Sequence, residues 1–440
     1  MKDTICAVAT AAGEGGIAIV RASGERAREI FEAAFHPARA KQIQSHRMMY
    51  GYAVDANDQP IDEAMGVFFA APSTYTREDM FEIQCHGGSV CAQRVMKRLM
   101  ALGARIAESG EFTRRAFLNG RIDLSRAEAV MALIGANSEA AARASVRELS
   151  GGISGFVRVS SDQLKEALSL IEASTDFPDE VEEADAAQTV RKAIEGVRGD
   201  IASRIDERSA HLLREGASIV LTGRPNVGKS SIMNALLNQD RAIVTSVPGT
   251  TRDVLTERII LNGVAAELSD TAGMRDAADE IERIGVNRAE RAVENADIVL
   301  IVLDAGEELT EEDRKILDRR DDRAIVVLNK IDREPVLHID GAICVSARTG
   351  EGMDDLIAAM AERVRIGGNE GAMTQQRHIA LAKRAIAAID GAIQAIDARL
   401  ALDVCAIDLK EALGALCEIT GENATEAVID RVFANFCVGK

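Results

Sequence analysis

The chain has 440 residues, 47% hydrophobic and 28% charged, with 52 lysines and arginines against 70 aspartates and glutamates for a net charge of -18. Such a length and apolar content fit roughly two to four folded domains and exclude a fibrous or proline-rich disordered protein. The acidic balance, the lack of tryptophan and the three tyrosines argue against a general polyanion binder and an aromatic stacking platform, leaving room for a local basic patch or a partner that supplies the positive surface.

The first 21 residues carry Asp3 and Glu14 and lack a basic segment followed by an unbroken apolar run, so they do not read as a signal peptide. Residues 17–20 and 65–69 predict strands, and 90–102 a helix closed by Gly103. Residues 1–118 are thus expected to form a small α/β or α+β domain. Residues 119–213 are rich in alanine, glutamate and arginine; helical apolar spacing marks 125–133 and 161–171, Gly151-Gly152 breaks the series, and 182–213 predict further amphipathic helices. Similar composition returns over 369–440. Between them, 214–368 contain nearly all-apolar runs at 218–222, 298–303 and 324–328 separated by helical segments, the pattern of a mostly parallel sheet covered on both faces. The simplest architecture is a helical domain built from both sides of an inserted α/β domain; two unrelated helical regions are the alternative.

No stretch of 18 apolar residues predicts a membrane span. The seven cysteines (Cys6, Cys85, Cys91, Cys344, Cys405, Cys417 and Cys437) include no pair at CxxC spacing, which speaks against a zinc ribbon, an iron–sulfur site or a disulfide scaffold and for a reducing compartment, the cytoplasm.

Chemistry concentrates in the middle segment. Gly223-Arg224-Pro225-Asn226-Val227-Gly228-Lys229-Ser230, followed by Ser231, lies between a predicted strand and a predicted helix. Its glycines let backbone N–H groups wrap phosphate oxygens, Lys229 supplies charge to the β- and γ-phosphates, and Ser230 offers a hydroxyl to Mg²⁺. Asp270-Thr271-Ala272-Gly273 follows a strand-like run; Asp270 suits the magnesium shell and Gly273 the γ-phosphate. Asn329-Lys330-Ile331-Asp332 follows a buried strand, and an Asp332 carboxylate can accept two hydrogens from guanine that adenine does not offer. Ser346-Ala347-Arg348 can complete the base pocket. Together these select GTP. Met274 occupies the position where regulatory GTPases place a water-orienting glutamine, and its thioether cannot do that work.

With Gly15-Gly16-Ile17-Ala18-Ile19-Val20-Arg21, Tyr75-Thr76-Arg77-Glu78-Asp79, His86-Gly87-Gly88, the segment from Gly110 to Arg121, Gly249-Thr250-Thr251-Arg252-Asp253 and the terminal Phe436-Cys437-Val438-Gly439-Lys440, the chain resembles, essentially end to end, the bacterial tRNA-modification GTPase family MnmE (TrmE), of the TrmE–Era-like GTPases. The resemblance implies an N-terminal folate-binding and dimerisation domain, a helical domain and an inserted Ras-like GTPase domain. It implies modification of tRNA wobble uridine to 5-aminomethyl or 5-carboxymethylaminomethyl forms by a homodimer working with an FAD-dependent partner, MnmG (GidA). A reduced folate (5-formyl- or methylene-tetrahydrofolate) carries the one-carbon unit. It assigns Arg21, Glu82, Arg121 and Lys440 to the folate, with Arg121 standing where the family commonly has lysine, and Ala11-Ala12-Gly13 where it has Pro-Pro-Gly.

The resemblance further implies a potassium ion held by Asn226 of the phosphate loop and by backbone oxygens around Thr245 and Val247 in the loop Thr245-Ser246-Val247-Pro248-Gly249-Thr250-Thr251. Pro248 replaces a frequent alanine, and Thr250 and Thr251 serve magnesium and switch closure. Glu282 is the implied water-arranging residue in place of the missing glutamine. Cys437, by default a buried inert thiol, becomes a candidate functional residue. With Glu282, Lys229 and Asn226 it completes the expected catalytic set. An RNA-binding or ribosome-assembly GTPase switch is the alternative function.

Overall fold

The computed structural model describes residues 3–11, 13–39, 42–177, 179–180, 182–238, 257–270, 291–367, 371–434 and 436–439. The chain separates into two compact units: Met1–Met131 with Glu148–Val197 and Arg384–Lys440, and Ala132–Arg147 with Arg198–Lys383.

The first unit begins with β1 (Ile5–Val8), β2 (Ile17–Ser23), α1 (Ala27–Ala34), β3 (Phe35–Pro37), β4 (Met49–Val54), β5 (Pro60–Phe69), β6 (Met80–His86), α2 (Ser89–Ala101), β7 (Arg105–Ile106) and α3 (Glu111–Leu118). The strands form one sheet in the order β3-β4-β5-β6-β2-β1-β7. All its pairs are antiparallel except β1 with β7. Strand periodicity sorts the side chains: Ala18, Val20 and Ala22 join Phe81 and Ile83 in a core with Phe31, Val95 and Leu99 from the two helices. The alternate residues Arg21 and Glu82, directly opposite in the β2–β6 register, therefore face the other way. Under part of that second face α3 packs Phe112 against Ile5, Ala7 and Met80.

Helices follow: α4 (Leu124–Ile134), α5 (Glu139–Leu149), α6 (Gly152–Asp176), α7 (Glu183–Ser203) and α8 (Glu207–Arg214). Gly151, left-handed at φ 94°, separates α5 from α6. Helix α6 buries Ile153, Val157, Leu164, Leu168 and Ile171, a stripe at helical spacing, and packs along the helix Leu402–Thr420. The helix Glu426–Ala434 then brings Phe433, together with Phe436, onto Ala116 and Leu124. The unit boundaries fall inside α4, α5, α7 and the helix Gln376–Asp397.

The second unit holds β8 (Ala217–Thr222), α9 (Lys229–Leu237), β9 (Glu257–Leu261), β10 (Val264–Asp270), β11 (Ile298–Asp304), β12 (Ala324–Asn329) and β13 (Ile343–Val345), in the order β13-β12-β11-β8-β10-β9. All neighbours are parallel except β9 with β10. Ile219, Leu221 and Leu300 join one core with Ile232 and Met353; Val220, Val299 and Ile301 join another, so both faces are covered, as the apolar strands require. The parallel register brings the C-terminal ends of β8, β10, β11 and β12 to one edge, where open α/β sheets bind ligands. Among the described residues, no helix is long and apolar enough to cross a membrane.

Candidate functional site

At that edge the loop from Gly223 to Gly228 leads into α9, with Lys229 as its first residue. Gly228 is left-handed, and a side chain there would collide with the Asn329 amide nitrogen. Buried Lys229 donates from Nζ to the carbonyl oxygens of Gly223 and Arg224, both at 2.8 Å. Ser230 Oγ donates to Asp270 Oδ2 at 2.7 Å, joining the phosphate loop to the end of β10; Ser231 is exposed one residue further on. Arg224 turns away from the loop's concave side: its Nε donates to Asp313 at 2.9 Å and its Nη2 to Glu307 at 2.9 Å.

The base-reading run docks onto this loop. Asn329 donates from Nδ2 to the Val227 carbonyl at 2.9 Å and accepts the Ala347 N–H on Oδ1 at 3.1 Å. Lys330 Nζ donates to the Asn226 carbonyl at 2.7 Å and to Asp304 Oδ2 at 2.6 Å. Asp332 accepts from Ser346 Oγ at 2.7 Å, and Arg348 Nε lies 3.3 Å from its other oxygen. The Ser346 hydroxyl, then the backbone N–H of Asp332 itself and the Arg348 charge, hold the Asp332 carboxyl below the usual range against the effect of burial, keeping it an acceptor. Ile331 donates its backbone N–H to the Val345 carbonyl at 3.3 Å, which steadies the run against β13.

A second candidate site lies in the first unit. A cavity of about 580 Å³ is lined by Phe69, Tyr75, Arg77, Met80, Glu82 and Arg121, among others. The Arg121 guanidinium lies over the Tyr75 ring, 4.7 Å from its centroid, and the Tyr75 hydroxyl meets Thr113 Oγ1 at 2.9 Å. Arg21 Nε is 3.8 Å from Glu82 Oε1; that nitrogen is buried and makes no hydrogen bond among the described residues. The loop carrying Tyr75 is pinned from behind. Buried Arg115 reaches Glu78 at 3.1 Å, Asp3 at 2.8 Å and Glu111 at 2.9 Å, while Ser23 Oγ donates to Glu78 at 2.8 Å. The C-terminal tail returns to the same unit: Val438 bridges Ser109, and left-handed Gly439 lies so close to β1 that a Cβ would sit 2.6 Å from the Val8 carbonyl.

The family profile "GTP-binding protein TrmE N-terminus" matches residues 4–121, and "MnmE helical domain" matches residues 124–437. The tRNA modification GTPase MnmE of Alkaliphilus oremlandii is 41% identical over 460 residues, covering the whole of both chains. That of Geobacillus kaustophilus is 42% identical over 459 residues, covering all of this chain and 99% of the relative. The one from Geobacter sulfurreducens is 41% identical over 457 residues, with both chains fully covered. This chain belongs to the MnmE family of tRNA modification GTPases. The N-terminal α/β, helical and Ras-like GTPase composition expected from the sequence is the family's own.

The structure brings Asn226, Val227, Gly228, Lys229, Ser230, Asp270, Asn329, Lys330, Asp332, Ser346, Ala347 and Arg348 to one edge of one sheet. It brings Arg21, Glu82 and Arg121 to one sheet face and its neighbouring cavity. Cys437 is exposed, not a buried core thiol; a tail chain held by backbone contacts leaves its side chain outside. Thr245, Ser246, Val247, Pro248, Gly249, Thr250, Thr251, Thr271, Ala272, Gly273, Met274, Glu282 and Lys440 lie outside the described residues. Sequence reasoning missed Asp304 and Tyr75. A carboxylate ending a strand of six apolar residues was the available signal for Asp304; Tyr75 lay inside a quoted motif without a role.

Proposed function

We propose that GTP hydrolysis by residues 214–368 drives conformational change while the chain, as a cytoplasmic homodimer with the FAD-dependent partner MnmG (GidA), installs the 5-aminomethyl or 5-carboxymethylaminomethyl group on tRNA wobble uridine. The observation that carries the GTPase half is the joining of phosphate loop, Asp270 and the Asn329–Asp332 run at one sheet edge. Ser230 and Asp270 supply the hard oxygens that a magnesium ion takes beside a triphosphate. When bound, that ion neutralises charge on the β- and γ-oxygens, Lys229 adds its ammonium there, and Asp332 accepts from guanine. Ser231, Thr271, Ala272 and Gly273 line the nucleotide, Thr250 and Thr251 close the switch, and Glu282 arranges the attacking water. Asn226 of the phosphate loop, with Thr245 and Val247 of the loop that also contains Ser246, Pro248 and Gly249, would hold a potassium ion, whose charge would offset that developing between the phosphates.

The second cavity suits a reduced folate. Glu82 offers acceptors to the donors of a pterin ring, and the unbonded Arg21 Nε beside it fits a polar ligand. Arg121, braced on Tyr75, presents its remaining donors to an anionic or polar group. The returning tail supports a role for Lys440, one residue beyond Gly439, and for the exposed Cys437. Residues 1–118 are the folate and dimerisation domain, and 119–213 with 369–440 the helical domain.

Wobble nucleosides from cells lacking the protein test this reading. Loss of the 5-aminomethyl-type nucleosides, restored by the wild-type chain but not by Lys229→Ala, is expected; their persistence would reassign the chain to an RNA-binding or ribosome-assembly switch.

A further inference from the structure

Lys330 and Asn226 are both left-handed, at φ 70° and 67°. Neither is glycine, so each conformation is strained and persists only where surrounding contacts over-determine it. At Lys330 two acceptors do so: the Asn226 carbonyl at 2.7 Å and Asp304 Oδ2 at 2.6 Å. Asp304 is itself fixed. It ends β11 directly opposite Asn329 in the parallel register, is almost fully buried, and takes the Gly306 N–H on Oδ1 at 2.9 Å. Ala305 N–H, the next donor along, bonds the Asn329 carbonyl at 2.8 Å. Burial alone would raise the Asp304 carboxyl; the Lys330 ammonium and the Gly306 N–H bring it below the usual range. An ammonium has three donors. With two committed to Asp304 and Asn226, its position is set and one donor remains for a ligand.

We propose that Asp304 is a positioning residue for nucleotide binding: it anchors the Lys330 head on the Asn226 carbonyl, so that the lysine stem is held flat where the purine stacks and the base-reading run is tied to the phosphate loop. The inference rests on the reading of Lys330 as part of the guanine pocket. Without the carboxylate, the left-handed Lys330 loses its stronger partner, the stem is free to swing, and a bound nucleotide loses a preformed wall.

Release of a fluorescent GDP analogue, followed by stopped flow in the full-length protein, tests it with Asp304→Asn, Lys330→Met and the double variant. Asparagine keeps an oxygen for Gly306 and puts an uncharged NH2 donor where Lys330 now meets a carboxylate oxygen. Asp304→Asn is expected to speed release about tenfold. In the Lys330→Met background it should change release by less than about twofold, because an effect exerted through Lys330 is absent there. Wild-type release by Asp304→Asn, or the same acceleration in both backgrounds, would overturn the proposal. If Lys330→Met itself leaves release unchanged, the guanine-pocket reading of Lys330 is what fails. Should Asp304→Asn not fold, Asp304→Glu carries the same comparison: the extra methylene shifts the ammonium off Asn226 and speeds release only when Lys330 is present.

Discussion

Ser230 Oγ and Asp270 Oδ2 meet at 2.7 Å although 40 residues separate them in sequence. One starts the helix after the phosphate loop and the other ends β10, so the β8–β10 pairing delivers both to the place where a cation beside the phosphates needs oxygen ligands. Ser230→Ala should therefore weaken the binding of magnesium beside GTP. Titrating Mg²⁺ at fixed GTP, the variant is expected to need at least about tenfold more metal for half-saturation. An unshifted titration would remove Ser230 from the magnesium shell.

Asp332 is preset as an acceptor by Ser346 and Arg348. Asp332→Asn turns one acceptor into a donor, which opposes guanine and suits xanthine. Loss of two charge-assisted bonds should cut GTP affinity about a hundredfold, with xanthosine triphosphate gaining relative to GTP. Competition binding with the two nucleotides measures the preference, and an unaltered ratio rejects the assignment.

Asn226 lies in the phosphate loop with its backbone carbonyl taken by Lys330, and its side-chain oxygen is the proposed ligand for a monovalent cation. GTPase rates at equal ionic strength should be higher in potassium than in sodium, and Asn226→Ala should lose most of that difference. Equal rates in both salts for the wild type would end the potassium proposal. A salt preference surviving Asn226→Ala would end only the assignment to Asn226.

The tail beyond Phe436 is seated by the Val438–Ser109 bridge and the close approach of Gly439 to Val8. A chain ending at Gly439 should bind reduced folate more weakly by calorimetry while binding GTP normally. Gly439→Val, which cannot keep the left-handed conformation against the Val8 carbonyl, should produce the same loss with Lys440 present. Full folate affinity in both variants would detach the tail from the site.

Glu111 gives a pH test of the scaffold behind the cavity. Burial raises its carboxyl, but Arg105, the Glu108 N–H and Arg115 together bring it below its ordinary value. A depressed carboxyl stabilises the fold above its unfolded pKa and loses that contribution as pH falls through the folded one. Wild type should thus lose stability as pH falls below about 4.5. Glu111→Gln should be less stable than wild type at pH 7, and the gap in urea midpoint should narrow over that acid window. A gap independent of pH would show that the charge of Glu111 contributes nothing.

What the sequence by itself determined is local and contiguous. The glycines and lysine of the phosphate loop, the Asn329–Asp332 run and the apolar strands of the second unit are each written in consecutive residues, because backbone wrapping, base-edge pairing and two-faced burial each impose a short pattern. The N-terminal sheet was legible strand by strand in 17–20 and 65–69, but its antiparallel order was not, since pairing depends on which edges meet. Tertiary structure alone decided the rest. Parallel register set Asp304 opposite Asn329, strand alternation put Arg21 across from Glu82, and buried Arg115 drew in Asp3 and Glu78 from two other segments. These relationships are pairings of distant side chains whose charges must be satisfied once water is excluded, and no single stretch of sequence contains both partners.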